Sequence, residues 1–499
     1  MNSEKLMLIK KLTFAAATLF FVFTGTAPRA QDAGALLDLL VRKKLVTDQE
    51  AEEVRTELVK ESANTSAGKW KLSTPITEVE LYGDVRLRYE YRGGRLPDHY
   101  QFGQDNANDW YERHRERYRL RVGLRGTLAD DWFFGLRLET NSDPRSTNVT
   151  FGGESSGGPF AKGDDGVFVG QAYFGYTGFP DSKFTGGRMP QPLVTTSLVW
   201  DDDINPEGLA EQWKHTFTFD LGGGGGEAVQ SYSKDGKGVA AAKATAPLKL
   251  KLDVFANFAQ FVYDDENPEN PIGPHPTTTA NTPGSPQQIP TSDAFMLAWQ
   301  VGARLTFPNS VYVQLAPTLY NYTGNGDTFN THFNGDPGGN QTGINSLLVF
   351  DMPAELGWKL WGLPMRIFGD FAVNLEADDR AEAAGHSGGG GQRYAWELGL
   401  GVGQLKAKND WEIRAWWQHS EQFSLDPNLV DSDIFDARVN IQGIGVKAGY
   451  MMADSISLNL TYAYGWRIND SYGTGGIGNI PINPVDQYQL FQADMSVKF

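Results

Sequence analysis

Val79-Glu80-Leu81-Tyr82-Gly83-Asp84-Val85-Arg86-Leu87-Arg88-Tyr89-Glu90 alternates between apolar residues and charged or small ones almost without a break. Successive side chains of a strand point to opposite faces, so the segment reads as a strand with one apolar and one charged face. Arg117-Tyr118-Arg119-Leu120-Arg121-Val122-Gly123-Leu124-Arg125 repeats the pattern, with arginine at nearly every second position. In a soluble sandwich the polar face meets bulk water. In an outer-membrane barrel it meets a water-filled lumen, and the apolar face meets lipid. Alternation allows both; strand length, strand number and export separate them.

Outward from these two segments, further strands are expected near residues 132–140, 167–176, 182–188, 212–221, 248–263, 294–307, 311–322, 347–360, 365–375, 393–405, 411–422, 435–452, 455–467 and 487–499. That makes about sixteen, an even number as single-chain bacterial barrels require. Tight connections such as Ala129-Asp130-Asp131, Pro308-Asn309 and Ala453-Asp454 contrast with long Gly/Pro-rich ones at 141–166, 265–292, 325–343, 377–392 and 469–486. Short turns on one rim and long loops on the other is the layout of an outer-membrane barrel. Trp132, Trp299, Trp358, Trp361, Trp396, Trp411, Trp416, Trp417 and Trp466 fall in or beside these strands, where interfacial girdles would place them. The last strand puts Phe491, Ala493, Met495 and Val497 on one face and Gln492, Asp494, Ser496 and Lys498 on the other, before a terminal Phe499.

The N-terminus points to export. Lys5, Lys10 and Lys11 precede an apolar run from Leu12 to Phe23, and small residues lead to a cleavage site expected after Ala30. Residues 1–30 are expected to be a signal peptide, 31–63 a periplasmic helical segment, 64–78 a linker and 79–499 the barrel. Within the helical segment Thr47 and Glu50 form a capping box, and Ala51, Val54 and Leu58 share one face. Composition agrees: a formal charge of −17 excludes nucleic-acid binding through bulk basicity, and the absence of cysteine excludes disulfides, thiolate nucleophiles and Cys-ligated metals.

Three stretches carry a resemblance to a known family. The helical pair at 34–61, the block Gly187-Arg188-Met189-Pro190-Gln191-Pro192 with Leu198-Val199-Trp200-Asp201-Asp202-Asp203-Ile204-Asn205-Pro206-Glu207-Gly208-Leu209, and the closing segments 445–450 and 492–499 are similar to the bacterial outer-membrane Putative porin family. That family is distantly similar to the phosphate-selective and general diffusion porins. The resemblance implies an all-β transmembrane antiparallel barrel with a short N-terminal helical segment, conducting small hydrophilic solutes and ions by passive diffusion.

Two constellations could act on permeating solutes. Arg86, Arg88, Arg115, Arg117, Arg119, Arg121, Arg125 and Arg137 share the polar parity of adjacent strands and are pore-lining candidates. As a bare ladder they would favour anions, whereas pairing with Glu80, Asp84, Glu90 and Glu139 would neutralise the wall. Asp201, Asp202, Asp203 and Glu207 lie in a connection long enough to fold inward and are constriction-loop candidates; they lack calcium-loop spacing. The runs Gly222 to Gly226 and Gly388 to Gly391 lack a phosphate-loop lysine and read as loop tips. The seven histidines form no His-Glu-x-x-His pair and there is no Gly-x-Ser-x-Gly elbow, so no catalytic residue, metal or cofactor is expected, and the chain is not read as an enzyme. Expected partners are outer-membrane lipid, the barrel-assembly machinery during biogenesis, small hydrophilic solutes or ions, and further copies in a homotrimer, without nucleic acid. A plugged barrel that binds ligands or adheres through its long loops is the rival reading.

Overall fold

The structure is a computed structural model that describes residues 73–97, 110–141, 146–152, 166–221, 248–268, 291–323, 344, 346–384, 386, 388–475 and 479–499. The stretches expected as a signal peptide and as capped helices, and the 222–226 glycine run, lie outside the described residues.

Sixteen antiparallel strands close into a barrel in which every strand pairs with its neighbours in sequence: β1 Ile76–Arg95, β2 Trp110–Leu128, β3 Trp132–Asn141, β4 Gly166–Tyr176, β5 Ser182–Arg188, β6 Glu207–Asp220, β7 Lys249–Pro268, β8 Thr291–Thr306, β9 Tyr312–Leu315 with Thr318–Tyr322, β10 Leu348–Asp351 with Ala354–Leu360, β11 Leu363–Asn374, β12 Tyr394–Gly403, β13 Trp411–Ser420, β14 Ile441–Ala453, β15 Ile456–Arg467 and β16 Gln487–Lys498. β16 returns to β1 over the register Asp84↔Lys498 to Arg95↔Gln487, which closes the wall. The breaks within β9 and β10 fall next to Pro317 and Pro353, which cannot donate to the ladder. The two breaks lie side by side, and Ala316 N–H reaches the Pro353 carbonyl at 3.1 Å, so the pairing continues across them.

The burial pattern is inside-out. On β1 the apolar face is exposed, with Leu81 at 56 % and Leu87 at 51 %, while Asp84, Arg88, Glu90 and Arg92 are buried. Only a barrel whose outside meets lipid and whose inside is polar makes this arrangement stable.

Several strand starts differ from the sequence reading: β1 begins at Ile76, within the stretch expected as linker, and β2 begins at Trp110, not at 117. β6 begins at Glu207, not at 212. β14 begins at Ile441, not at 435, because Asp436, Ala437 and Asn440 adopt positive φ values of 61°, 54° and 57°, which a strand does not tolerate. The glycines at 388–391 are not a loose tip, since Gly389–Gly391 form a 3₁₀ turn with Gly389 and Gly390 buried. The rule of short turns on one rim has one exception, where residues 222–247 join β6 to β7.

Two connections on the loop rim turn into the barrel. Segments 189–206 and 421–440 bury Leu198, Trp200, Leu429 and Val430 against inward side chains of β6–β12 such as Ala259 and Met296. A second apolar cluster packs Ile434 and Phe435 against Ile480, Ile482, Tyr488 and Leu490. The entry to 189–206 lies at a facing pair of glycines, Gly187 and Gly208, with φ of 115° and 144°. A Cβ on Gly208 would collide with the Gln260 carbonyl, so the close turn requires glycine there.

Candidate functional site

The arginine column faces the lumen, and it is paired rather than bare. Arg88 contacts Asp494 at 2.7 Å and Asp433 at 2.9 Å; Arg115 and Arg117 contact Glu90, the latter at 3.7 Å. Arg119 and Arg121 clasp Asp84 at 2.8 and 2.6 Å; Arg125 pairs with Glu80 and Arg137 with Glu139. Among the described residues Arg86 is the one member of the column without a carboxylate partner, and it donates to Asn148 Oδ1 at 2.6 Å. Arg92 belongs to the same column although it was absent from the sequence-derived set. It is 1 % exposed and bonds Glu90 at 3.0 Å and Asp436 at 2.8 Å. Its parity with Arg88 and Glu90 is the signal that would have found it.

Segment 189–206 stands opposite this wall. Asp203 lies 3.5 Å from Arg119 and 3.8 Å from Arg121, and its Oδ2 accepts from Thr147. Asp201 points away from the arginines: its Oδ2 accepts from the backbone N–H and hydroxyl of Ser432, and its own N–H donates to the Leu429 carbonyl at 2.6 Å. Asp202 lines a cavity of about 300 Å³ with Asp431, Glu355, Arg366, Arg414 and Lys447. Asp203 lines a separate cavity of about 570 Å³ toward the loop rim. The two adjacent aspartates therefore sit at the partition between two aqueous spaces. Further anchors hold the segment to the wall, where Thr196 Oγ1 donates to Asp370 Oδ2 at 2.5 Å and Gln300 bonds both the N–H and the carbonyl of Val194.

Glu207 does not join this constriction. It is the first residue of β6, on the parity of the exposed Leu209, and pairs with Arg188 at 3.3 Å on the outer face. Trp416 likewise departs from the girdle expected of it: it is inward and buried, whereas Trp299 is exposed on the outer face and Trp417 stacks edge-on with Trp466.

Burial, with Asp203 beside it, pushes the Asp201 carboxyl up to about 6 from an ordinary 3.8. Asp433 goes the other way. Against the cost of burial, Arg88, Arg86 and Arg92 hold it well below the usual carboxylate range. Segment 421–440 is thus pinned to the arginine wall through Asp433 and Asp436, and to segment 189–206 through Ser432 and Leu429. Among the described residues no three His, Asp or Glu side chains are grouped to hold a metal ion.

Solved structures with a similar fold include an anion-selective porin from Comamonas acidovorans, at 10 % identity and a TM-score of 0.39, with 85 % of this chain and 99 % of that chain covered. A triple mutant of the Rhodopseudomonas blastica porin aligns at 11 % identity and a TM-score of 0.36, with 85 % and 100 % covered. No curated protein matches the sequence. The profile of the family described as Putative porin matches residues 40–341, well over half of the chain. This barrel, with its inward segments and charged inner wall, belongs to the Putative porin family.

Proposed function

We propose that the protein is an outer-membrane channel for passive diffusion of small hydrophilic solutes and ions, with permeation screened where segment 189–206 faces the arginine column. The observation that carries this reading is the approach of Asp203 to Arg119 and Arg121, which sets unlike charges across the narrow part of the lumen. Charges so placed orient dipolar solutes and select among ions. Because most of the arginines are compensated, selectivity falls to the less neutralised groups: Arg86 and Arg117 on one side, and Asp202 and Asp203 on the other. Outer-membrane lipid surrounds the apolar face, the barrel-assembly machinery inserts the chain, and the N-terminal segment lies in the periplasm. The loop rim is then extracellular.

Planar-bilayer recording under a salt gradient tests the assignment. Arg86→Gln with Arg117→Gln should move the reversal potential toward cations, and Asp202→Asn with Asp203→Asn should move it toward anions. Unchanged potentials in both variants would place these charges outside the conduction path.

A second reading is favoured by one observation. The apolar cluster of Leu198, Trp200, Leu429 and Val430 fills part of the lumen, as it would in a plugged barrel that works through its loops. Absence of single-channel steps in the wild type would decide for it.

A further inference from the structure

Farther round the barrel from the arginine column, the inner wall of β11–β14 carries charges that do not use one another up. Directly opposite partners there have like sign: Arg414 of β13 faces Lys447 of β14, and Asp370 of β11 faces Glu397 of β12. Like charges set opposite each other destabilise an antiparallel pair, so each of these rungs calls for a counter-charge from elsewhere. The two rungs are offset along the wall. Arg414 pairs in register with Gly401, four residues beyond Glu397 on β12, which separates the basic level from the acidic one by about 13 Å at ordinary rise.

Part of the counter-charge is internal. Arg366 reaches Glu412 at 2.6 Å and Glu355 at 3.5 Å, Arg414 reaches Glu412 at 3.6 Å, and Asp370 accepts from Thr196. Lys447 and Glu397 are left over. Neither side chain has an ion pair or a hydrogen bond among the described residues, although Glu397 is only 5 % exposed. Both line the 300 Å³ cavity that residues 195–197 of the inward segment close, and Phe368 and Trp416 line it with them. The wall is thinned to seat these rings: a Cβ on Gly399 would collide with the Phe368 ring, and one on Gly445 with the Trp416 ring. The buried Trp416 indole N–H and the Arg414 Nε–H find no acceptor among the described residues. Unpaired buried charges and donors are costly, and here they converge on one aqueous space.

We propose, resting on the porin reading above, that this cavity binds a free α-amino acid in transit. Its ammonium meets Glu397, its carboxylate meets Lys447 and Arg414, and an aliphatic side chain lies against Phe368 and Trp416. A solute of single sign would leave one of the two spare charges unpaired, and a neutral solute would leave both. The volume is at the small end of the range of about 300–1,000 Å³ for small-molecule sites, which suits a solute of this size.

The wild-type protein suffices for the first test. Folded protein in detergent is dialysed to equilibrium against radiolabelled leucine and challenged with unlabelled leucine, with isoamylamine, which lacks the carboxylate, and with isocaproate, which lacks the amino group. Leucine should compete at least about tenfold better than either analogue, because each forfeits one charged contact. Glu397→Gln and Lys447→Met should each weaken leucine binding by a similar factor, with heat-modifiable migration confirming that the variants are folded. Absence of saturable leucine binding, an analogue that competes as well as leucine, or wild-type binding in both folded variants would overturn the proposal. Should a variant fail to fold, the comparison of leucine with its two analogues decides alone. Loss of the channel reading is separately visible: saturable leucine binding without single-channel steps would reject the pore and leave the site standing, whereas steps without leucine binding would do the reverse.

Discussion

Replacing Arg92 by methionine removes one positive charge from the tightest part of the inner wall. The guanidinium bonds Glu90 at 3.0 Å, Asp436 at 2.8 Å, the Ser432 carbonyl at 2.8 Å and Tyr488 Oη at 3.1 Å, and it is 1 % exposed. Breaking a buried pair from one side costs roughly 3–5 kcal/mol, because the partner charge stays behind uncompensated. Here the partners retain help. Glu90 keeps Arg115 and Arg117, and Asp436 keeps Arg438 at 3.1 Å and the Asn479 N–H at 2.7 Å. The expected loss is therefore at the lower end, about 3 kcal/mol. A fifth contact reaches Asp433 at 3.5 Å, so three of the five lost contacts, to Asp433, Asp436 and the Ser432 carbonyl, belong to segment 421–440, and much of the loss falls on its docking. If all of it did, the docked-to-undocked ratio would drop on the order of 100-fold. Urea unfolding in micelles, followed by tryptophan fluorescence, reads the stability. Single-channel recording reads the segment, which should visit an open level of higher conductance and flicker. Arg92→Lys, which keeps the charge but loses the fork that reaches both carboxylates, should fall between. An Arg92→Met variant with wild-type unfolding midpoint and wild-type current noise would refute the reasoning.

Three further outcomes are expected. Asp201 binds its proton more tightly in the folded protein than in the unfolded chain, so its contribution to the contact between the two inward segments is complete below its ordinary 3.8 and is lost as pH rises through about 6; current noise should rise across that interval, and Asp201→Asn should remove the step. Gly208→Ala puts a side chain on a residue at φ 144° and against the Gln260 carbonyl, a strain of at least about 1–3 kcal/mol, and should reduce the heat-modifiable folded band on gels while Leu209→Ala leaves it intact. Thr196→Val strips Asp370 of its hydroxyl donor, a loss of about 1–3 kcal/mol, and should raise protease cutting within 189–206 without altering barrel migration.

All sixteen strands were legible because alternation of period two is a local property, visible in any stretch such as 79–90 or 487–499. Their edges were less so. Residues 435–440 alternate like a strand, yet they turn inward at three positive-φ residues, and nothing local marks them. The direction of the arginines was legible from parity, but their charge state was not. Arg88 meets Asp433 and Asp494 from 345 and 406 residues away, and no spacing rule connects them. Segment 421–440 was missed for a similar reason. Phe423, Leu425, Leu429, Val430, Ile434 and Phe435 follow neither a helical nor a strand period, and their burial depends on the shape of the cavity that receives them. Glu207 was placed in the loop because Glu-Gly-Leu-Ala-Glu has no apolar face to announce a strand.

The seam between β1 and β16 also acts as its own proofreader. It is the last pairing the chain can make, joining residues 84–95 to 487–498. A slip of one residue in β1 would turn Arg86, Arg88, Glu90 and Arg92 outward and Leu87 and Tyr89 inward, since a strand's faces exchange with every single step. Each charge delivered to mid-bilayer costs up to about 2–4 kcal/mol for arginine, so misaligned closure is disfavoured by on the order of 10 kcal/mol before any lumen contact is counted. In the correct alignment Arg88 meets Asp494 across the seam, an ionic key that turns only in one register. Fidelity of closure is thus written into the same side chains that line the passage, and an evolutionary change of the passage's charge is at once a change in how surely the barrel shuts.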